Sequence, residues 1–174
     1  MRRRLHAWAL LGYAFTIPLA SAQAPDLSGT WKIDRGASKI DAGGSYAGLG
    51  KSAGVPATLY VTHARNGTVI VGSDVNTSHA RTYRPGAAST SPLPAGGDMA
   101  MRSRWDERRL VAEGRDDSSH SRLEEILSLD DEGRRLAIRI TWTTPDGNRT
   151  AALVYTRSER EAPCKQWPTP CKDW

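Results

Sequence analysis

Short runs in which apolar and polar residues alternate, each closed by a turn rich in Gly, Pro, Asn or Asp, recur along this chain and confine it to all-β architectures. The cleanest run is Leu136, Ile138, Ile140 and Trp142, interleaved with Ala137, Arg139, Thr141 and Thr143. A period of two places the first set on one face of a strand and the second on the other. Asp130-Asp131-Glu132-Gly133 precedes it, Pro145-Asp146-Gly147-Asn148 follows it, and Thr150 to Arg157 is the returning strand.

The same grammar holds upstream. Leu27, Gly29, Trp31 and Ile33 share one face of the first candidate strand, so an indole faces inward where the fold begins. Ala57 to His63 alternates, and Arg65-Asn66-Gly67-Thr68 makes a hairpin turn into Val69-Ile70-Val71. Asp74 to Ser78 is a polar turn and His79 to Arg84 a further strand. Met99, Met101 and Trp105 share a face opposite Arg102 and Arg104, and Asp106-Glu107 turns this strand into Arg109 to Gly114. Leu123, Glu125, Leu127 and Leu129 share a face too, and a glutamate there needs a partner if it is buried. A helix through Ser121 to Leu129 is the local rival, because Glu124, Glu125 and Leu127 are good helix formers.

Two stretches lack any period. Arg35 to Pro56 is rich in Gly, Ala and Ser, and Pro85 to Asp98 carries Pro92 and Pro94, which argue against a regular element. The pattern therefore predicts an all-β fold, a single antiparallel up-and-down barrel of about eight to nine strands.

Residues 1–22 read as a cleaved export leader. Arg2, Arg3 and Arg4 form a positive start, Leu5 to Ala20 is apolar, and Ala20-Ser21-Ala22 is a small-residue cleavage signal. The apolar run is short for a membrane span, and no cysteine follows it to carry a lipid anchor, so no stable membrane anchor is expected. The predicted organisation is a leader over 1–22, a barrel domain over 23–158 and a tail over 159–174, in a periplasmic or extracellular protein. In that oxidising setting Cys164 and Cys171, separated by six residues in a proline-rich tail, are expected to form a disulfide. Trp167 and Trp174 in the same tail are expected to cover a barrel edge.

The leader also distorts the charge. The chain carries 24 basic residues, and without the three leader arginines 21 face 19 acids, a net charge of +2. Acids are interleaved with the arginines, as in Asp106-Glu107-Arg108-Arg109, so no basic patch is available for nucleic acid.

Gly29-Thr30-Trp31 on a first strand, a meander of strands, and a last strand ending Tyr155-Thr156-Arg157 resemble the lipocalin and fatty-acid-binding (calycin) pattern. The resemblance implies that Trp31 closes one end of the barrel and that Arg157 packs over it. The chain also resembles small secreted bacterial proteins of unassigned function, in Ser28 to Asp34, Thr82-Tyr83, Arg104-Trp105-Asp106 and Leu127 to Asp130 with Gly133. It departs from the fatty-acid-binding pattern at Arg35 to Pro56, which is Gly-rich where that family has two lid helices.

Residues able to carry chemistry are few. Counting strand directions puts His63 at the same barrel end as Asp116, Asp117 and His120, a carboxylate–histidine group that is either a ligand or general-base site or an ordinary polar loop. Trp105 and Trp142 face inward, either as lining of a ligand cavity or as core. No nucleophile elbow, phosphate loop or zinc-helix motif occurs, so no catalytic residue, metal or cofactor is expected. Asn66-Gly67-Thr68, Asn76-Thr77-Ser78 and Asn148-Arg149-Thr150 match the glycosylation sequon, but Asn serves turns for conformational reasons.

Three functions remain. The first is a non-catalytic barrel binding a small, largely apolar ligand through Trp105, Trp142, His63, Asp116, Asp117 and His120. The second is an envelope or interaction protein with a packed barrel and partner-binding loops, and the third is an enzyme built on the loop acids and His120. Interior cavity volume separates the first two.

Overall fold

The computed structural model describes residues 24–40, 55–73, 80–92, 98–130 and 132–159. The leader expected over 1–22, the disulfide expected between Cys164 and Cys171, and His79, Trp167 and Trp174 lie outside them. Among the described residues eleven strands form in chain order: β1 (Gly29–Ile33), β2 (Lys39–Ile40), β3 (Thr58–His63), β4 (Val69–Ser73), β5 (Arg81–Tyr83), β6 (Ala88–Pro92), β7 (Asp98–Asp106), β8 (Arg109–Asp116), β9 (Ser121–Leu129), β10 (Arg135–Thr144) and β11 (Gly147–Glu159). Ten of them run antiparallel in the order β5-β4-β3-β1-β11-β10-β9-β8-β7-β6, with β2 paired to β11. The sheet curls into an up-and-down, nearly closed barrel, and its two ends, β5 and β6, face one another across a seam without a ladder of hydrogen bonds.

Alternation decides what faces inward. Leu123, Glu125 and Leu127 of β9 are buried in register with Ile140 and Ile138 of β10 and with Ala112 and Leu110 of β8. Ser121 to Leu129 is a strand, because its helix formers sit in a period of two whose apolar face is buried on the sheet.

Two further strands lie where loops were expected. The pair Lys39–Ile40 resumes the line of β1 along β11 after a turn, in which Asp34 Oδ1 accepts from the Ala37 N–H (3.0 Å) and Ser38 Oγ accepts from the Val154 N–H (3.0 Å). Strand β6 occupies Ala88–Pro92 inside the stretch whose prolines, Pro92 and Pro94, argue against a regular element. It pairs on one side only, with β7, and a proline at the end of such an edge strand sacrifices no ladder bond.

One barrel end is closed by the first and last strands. Trp31 has no exposed surface and its Nε1 donates to the Leu27 carbonyl (3.1 Å). Arg157 spans it, with Cζ 4.2 Å from the ring centroid, and donates from Nε to the Gly133 carbonyl (2.9 Å) and from Nη1 to the Ser28 carbonyl. One guanidinium thereby fastens β11 to the segment before β1 and to the β9–β10 turn. Trp31→Ala should lower stability by about 3–5 kcal/mol, the usual cost of truncating a buried aromatic, read as a drop in the urea midpoint; an unchanged midpoint would refute the closure.

Candidate functional site

Three groups of side chains bear chemistry. The first lies at the end closed by Trp31. His63 ends β3 and Trp105 lies near the end of β7, and their rings stack at 5.7 Å between centroids with 24° between planes. They border an open pocket of about 520 Å³ together with Ala24, Asp26, Arg65 and Asn66. Burial lowers the affinity of His63 for a proton, against the pull of the Asp26 carboxylate 3.9 Å away. Asn66 Oδ1 accepts from the Thr68 N–H (2.9 Å), which is the turn role that its sequence context suggested.

The second group, Asp116, Asp117 and His120, sits at the opposite end, and the expected shared rim with His63 does not form. Strand β6 is the reason: one unrecognised strand between β5 and β7 reverses the direction of every strand after it. The Asp116 carboxylate organises the β8–β9 turn, accepting from the Ser118 and Ser119 hydroxyls (2.6 Å each) and from the Ser118 N–H (3.0 Å). These bonds lower its carboxyl pKa to about 2. His120 is exposed in the left-handed region (φ 50), and no ion pair joins it to Asp116 or Asp117 among the described residues. Nor do the described residues hold a cluster of three or more His, Cys, Asp or Glu suited to a metal. Trp142 also lies at this end, half-buried, with Arg149 Cζ 5.7 Å from its ring.

The third group lies inside the barrel along the seam. Arg81 of β5 is 1% exposed and forms an ion pair with Glu125 of β9, which is 0% exposed; Tyr83 Oη donates to Glu125 Oε2 (2.9 Å). Burial pushes the Tyr83 phenol up, against the opposing pull of Arg81. Beside them, on β6 and β7, the hydroxyls of Ser89, Ser91 and Ser103 are buried without a hydrogen-bond partner among the described residues. Across the β6–β7 ladder Ser89 faces Met101 and Ser91 faces Met99. Both methionines are buried, and their thioethers occupy the space that a side chain at Gly114 of β8 would fill.

Glu125 stands where alternation placed it and has the partner that a buried carboxylate requires. The sequence pattern marks neither Arg81 nor the three serines. Arg81 sits on a three-residue strand, too short for alternation to assign its face, and serine gives no hydropathy signal. Tyr83, two residues from Arg81, was the available sign that Arg81 shares an inward face.

Glu125→Ala strands a buried guanidinium and should cost about 3–5 kcal/mol, whereas the double variant Arg81→Met/Glu125→Leu should recover most of that loss; parallel urea titrations test it. For Asp116, the folded carboxyl at about 2 lies below its ordinary 3.8, so its contribution is present above 3.8 and disappears as pH falls through 2. Asp116→Asn should therefore melt below the wild type at pH 7 and converge with it near pH 2, and a constant gap in the melts would refute the assignment.

No protein-family model and no curated protein matches the chain. Among solved structures it is similar to a fatty-acid-binding protein from brain tissue of Drosophila melanogaster, at 18% identity and TM-score 0.53, covering 75% of this chain and 99% of that one. It is also similar to a Schistosoma mansoni fatty-acid-binding protein in complex with arachidonic acid, at 17% identity and TM-score 0.47, over 75% and 95% of the two chains. A third is the zebrafish ileal bile-acid-binding protein complexed with cholic acid, at 11% identity and TM-score 0.48, over 75% and 98%. At these identities the likeness is one of fold, and the fold is calycin-like.

Proposed function

We propose that this barrel binds a small, largely apolar ligand without catalysing a reaction on it, on the seam side of its interior. The observation that carries this reading is the placement of Met99 and Met101 in the socket left by Gly114, beside three buried hydroxyls. Thioether side chains are flexible and apolar, so they pack the interior when it is empty and move aside at little cost when it fills. The similar Drosophila barrel, a fatty-acid-binding protein, lends support. Residues 1–22 support a periplasmic or secreted setting, since their arginines, apolar run and Ala20-Ser21-Ala22 are the features of an export leader.

A second reading has an observation of its own. Leu59, Leu110, Leu123, Leu127 and Leu136 have no accessible surface, so the rest of the interior is closely packed. A packed barrel fits a protein whose rim contacts a partner, with the open pocket at His63 and Trp105 as the contact.

Titration with N-phenyl-1-naphthylamine, a neutral apolar fluorophore, followed by methionine-methyl NMR, separates the two. Interior binding shifts the Met99 and Met101 methyl resonances, and Met101→Ala, which removes part of the plug, should tighten probe binding about tenfold. Unmoved Met99 and Met101 methyl resonances at saturating probe would refute interior binding.

A further inference from the structure

The polar groups along the seam specify the ligand's head, an inference that rests on the interior site proposed above. Arg81 and Glu125 are the only charged side chains among the described core residues, and each is the other's counter-ion. A carboxylate entering this space would set two anions against one cation where the dielectric is low, and an ammonium group would meet Arg81 in the same way. Charge on the ligand is therefore penalised from both sides.

The remaining interior groups at the seam are uncharged. Ser91 and Ser103 are 2% and 4% exposed, and their hydroxyls, with that of Ser89, have no hydrogen-bond partner among the described residues. Buried hydroxyls without partners are costly, and three at neighbouring inward positions on two adjacent strands form a built set. Each can both donate and accept, which suits a hydroxyl, ester or carbonyl and cannot neutralise a charge. The set lies close behind the barrel surface, because Ser89 also borders a groove of about 380 Å³ on the outer face of the seam, between Thr82 and Arg84 of the β5 side and Ala88 and Thr90 of β6. Its hydroxyls flank the two methionines, so an apolar chain that displaces those thioethers brings its head to the serines.

We infer that the site selects an apolar ligand with an uncharged, oxygen-bearing head, held by Ser89, Ser91 and Ser103, and rejects the corresponding carboxylate. The test is competition against N-phenyl-1-naphthylamine at pH 7.5 with 1-dodecanol and dodecanoate, which share a chain and differ in the head. Dodecanol should displace the probe at a concentration at least tenfold below that of dodecanoate. Ser91→Ala/Ser103→Ala should weaken dodecanol about tenfold and leave dodecanoate unchanged, with the melting temperature retained. Glu125→Gln, which removes the carboxylate charge facing Arg81, should improve dodecanoate about tenfold; if that variant does not fold, the serine variant decides. Dodecanoate binding as tightly as dodecanol would overturn the head-group assignment while leaving interior binding intact. A wild-type protein that binds neither the probe nor either chain would overturn the interior site and this inference with it.

Discussion

Arg81 and Glu125 meet inside the barrel from opposite sides of a seam that the backbone does not close. Strand β5 ends one edge of the sheet and β9 lies three strands in from the other edge, so their ion pair, with the Tyr83 hydroxyl bound to the same carboxylate, forms a chord behind β6, β7 and β8. Desolvating two charges consumes most of what their attraction returns, so the pair is poor evidence for stability as such. Its consequence is geometric: a three-residue strand with one hydrogen-bonded neighbour gains a second anchor in the barrel interior. The same pair removes net charge from the interior, so whatever enters meets charges that are already matched.

The opposite wall is built differently. Strand β11 is long enough to pair with β10 along most of its length and to serve both β1 and β2 on its other edge. Closure there is covered by Trp31 and fixed by Arg157, whose donors go to backbone carbonyls of separate segments. Such contacts cannot rearrange without exposing the indole, so this end is the rigid one. At the seam no ladder joins β5 to β6, and one backbone hydrogen bond, from the Gly86 N–H to the Ser103 carbonyl (2.9 Å), ties the connecting turn to β7; with so few backbone bonds it is the part of the barrel that opens at least cost.

Most of this fold is written in a period of two. The runs ending at Leu127, Ile140 and Tyr155 face inward as alternation requires, and Glu125, set on an apolar face, demands a partner from its position in the sequence alone. What was illegible had local causes. Strand β6 offers Ala, Ser, Thr, Ser and Pro, a composition shared with loops, and it is a strand only because β7 pairs with it. Because β6 lies between β5 and β7, the later strands run with the opposite parity to a count without it, and Asp116, Asp117 and His120 lie at the end away from His63. Arg81 and the serines were hidden for a related reason, since polar residues on short strands carry no hydrophobic signal, and burial there is imposed by tertiary position.

Fold alone leaves the ligand open for a comparable reason. Ten strands enclose a wider interior than the eight that side chains just fill, and here much of that interior is taken up by buried side chains, so a ligand enters where the filling is soft or incomplete. Aliphatic and aromatic residues on β3, β9, β10 and β11 interlock, and removing any of them leaves a cavity that costs stability. At Gly114 the filling comes from two methionines that belong to the neighbouring strand, and the walls beside them are hydroxyls rather than methyl groups. Softness and unspent hydrogen bonds thus coincide on the side where β5 and β6 are not laced together, and coincide nowhere else among the described core residues. The interior of this barrel is therefore defined by the chemistry at three places: a seam without ladder bonds, a charge already matched, and a socket filled by movable side chains.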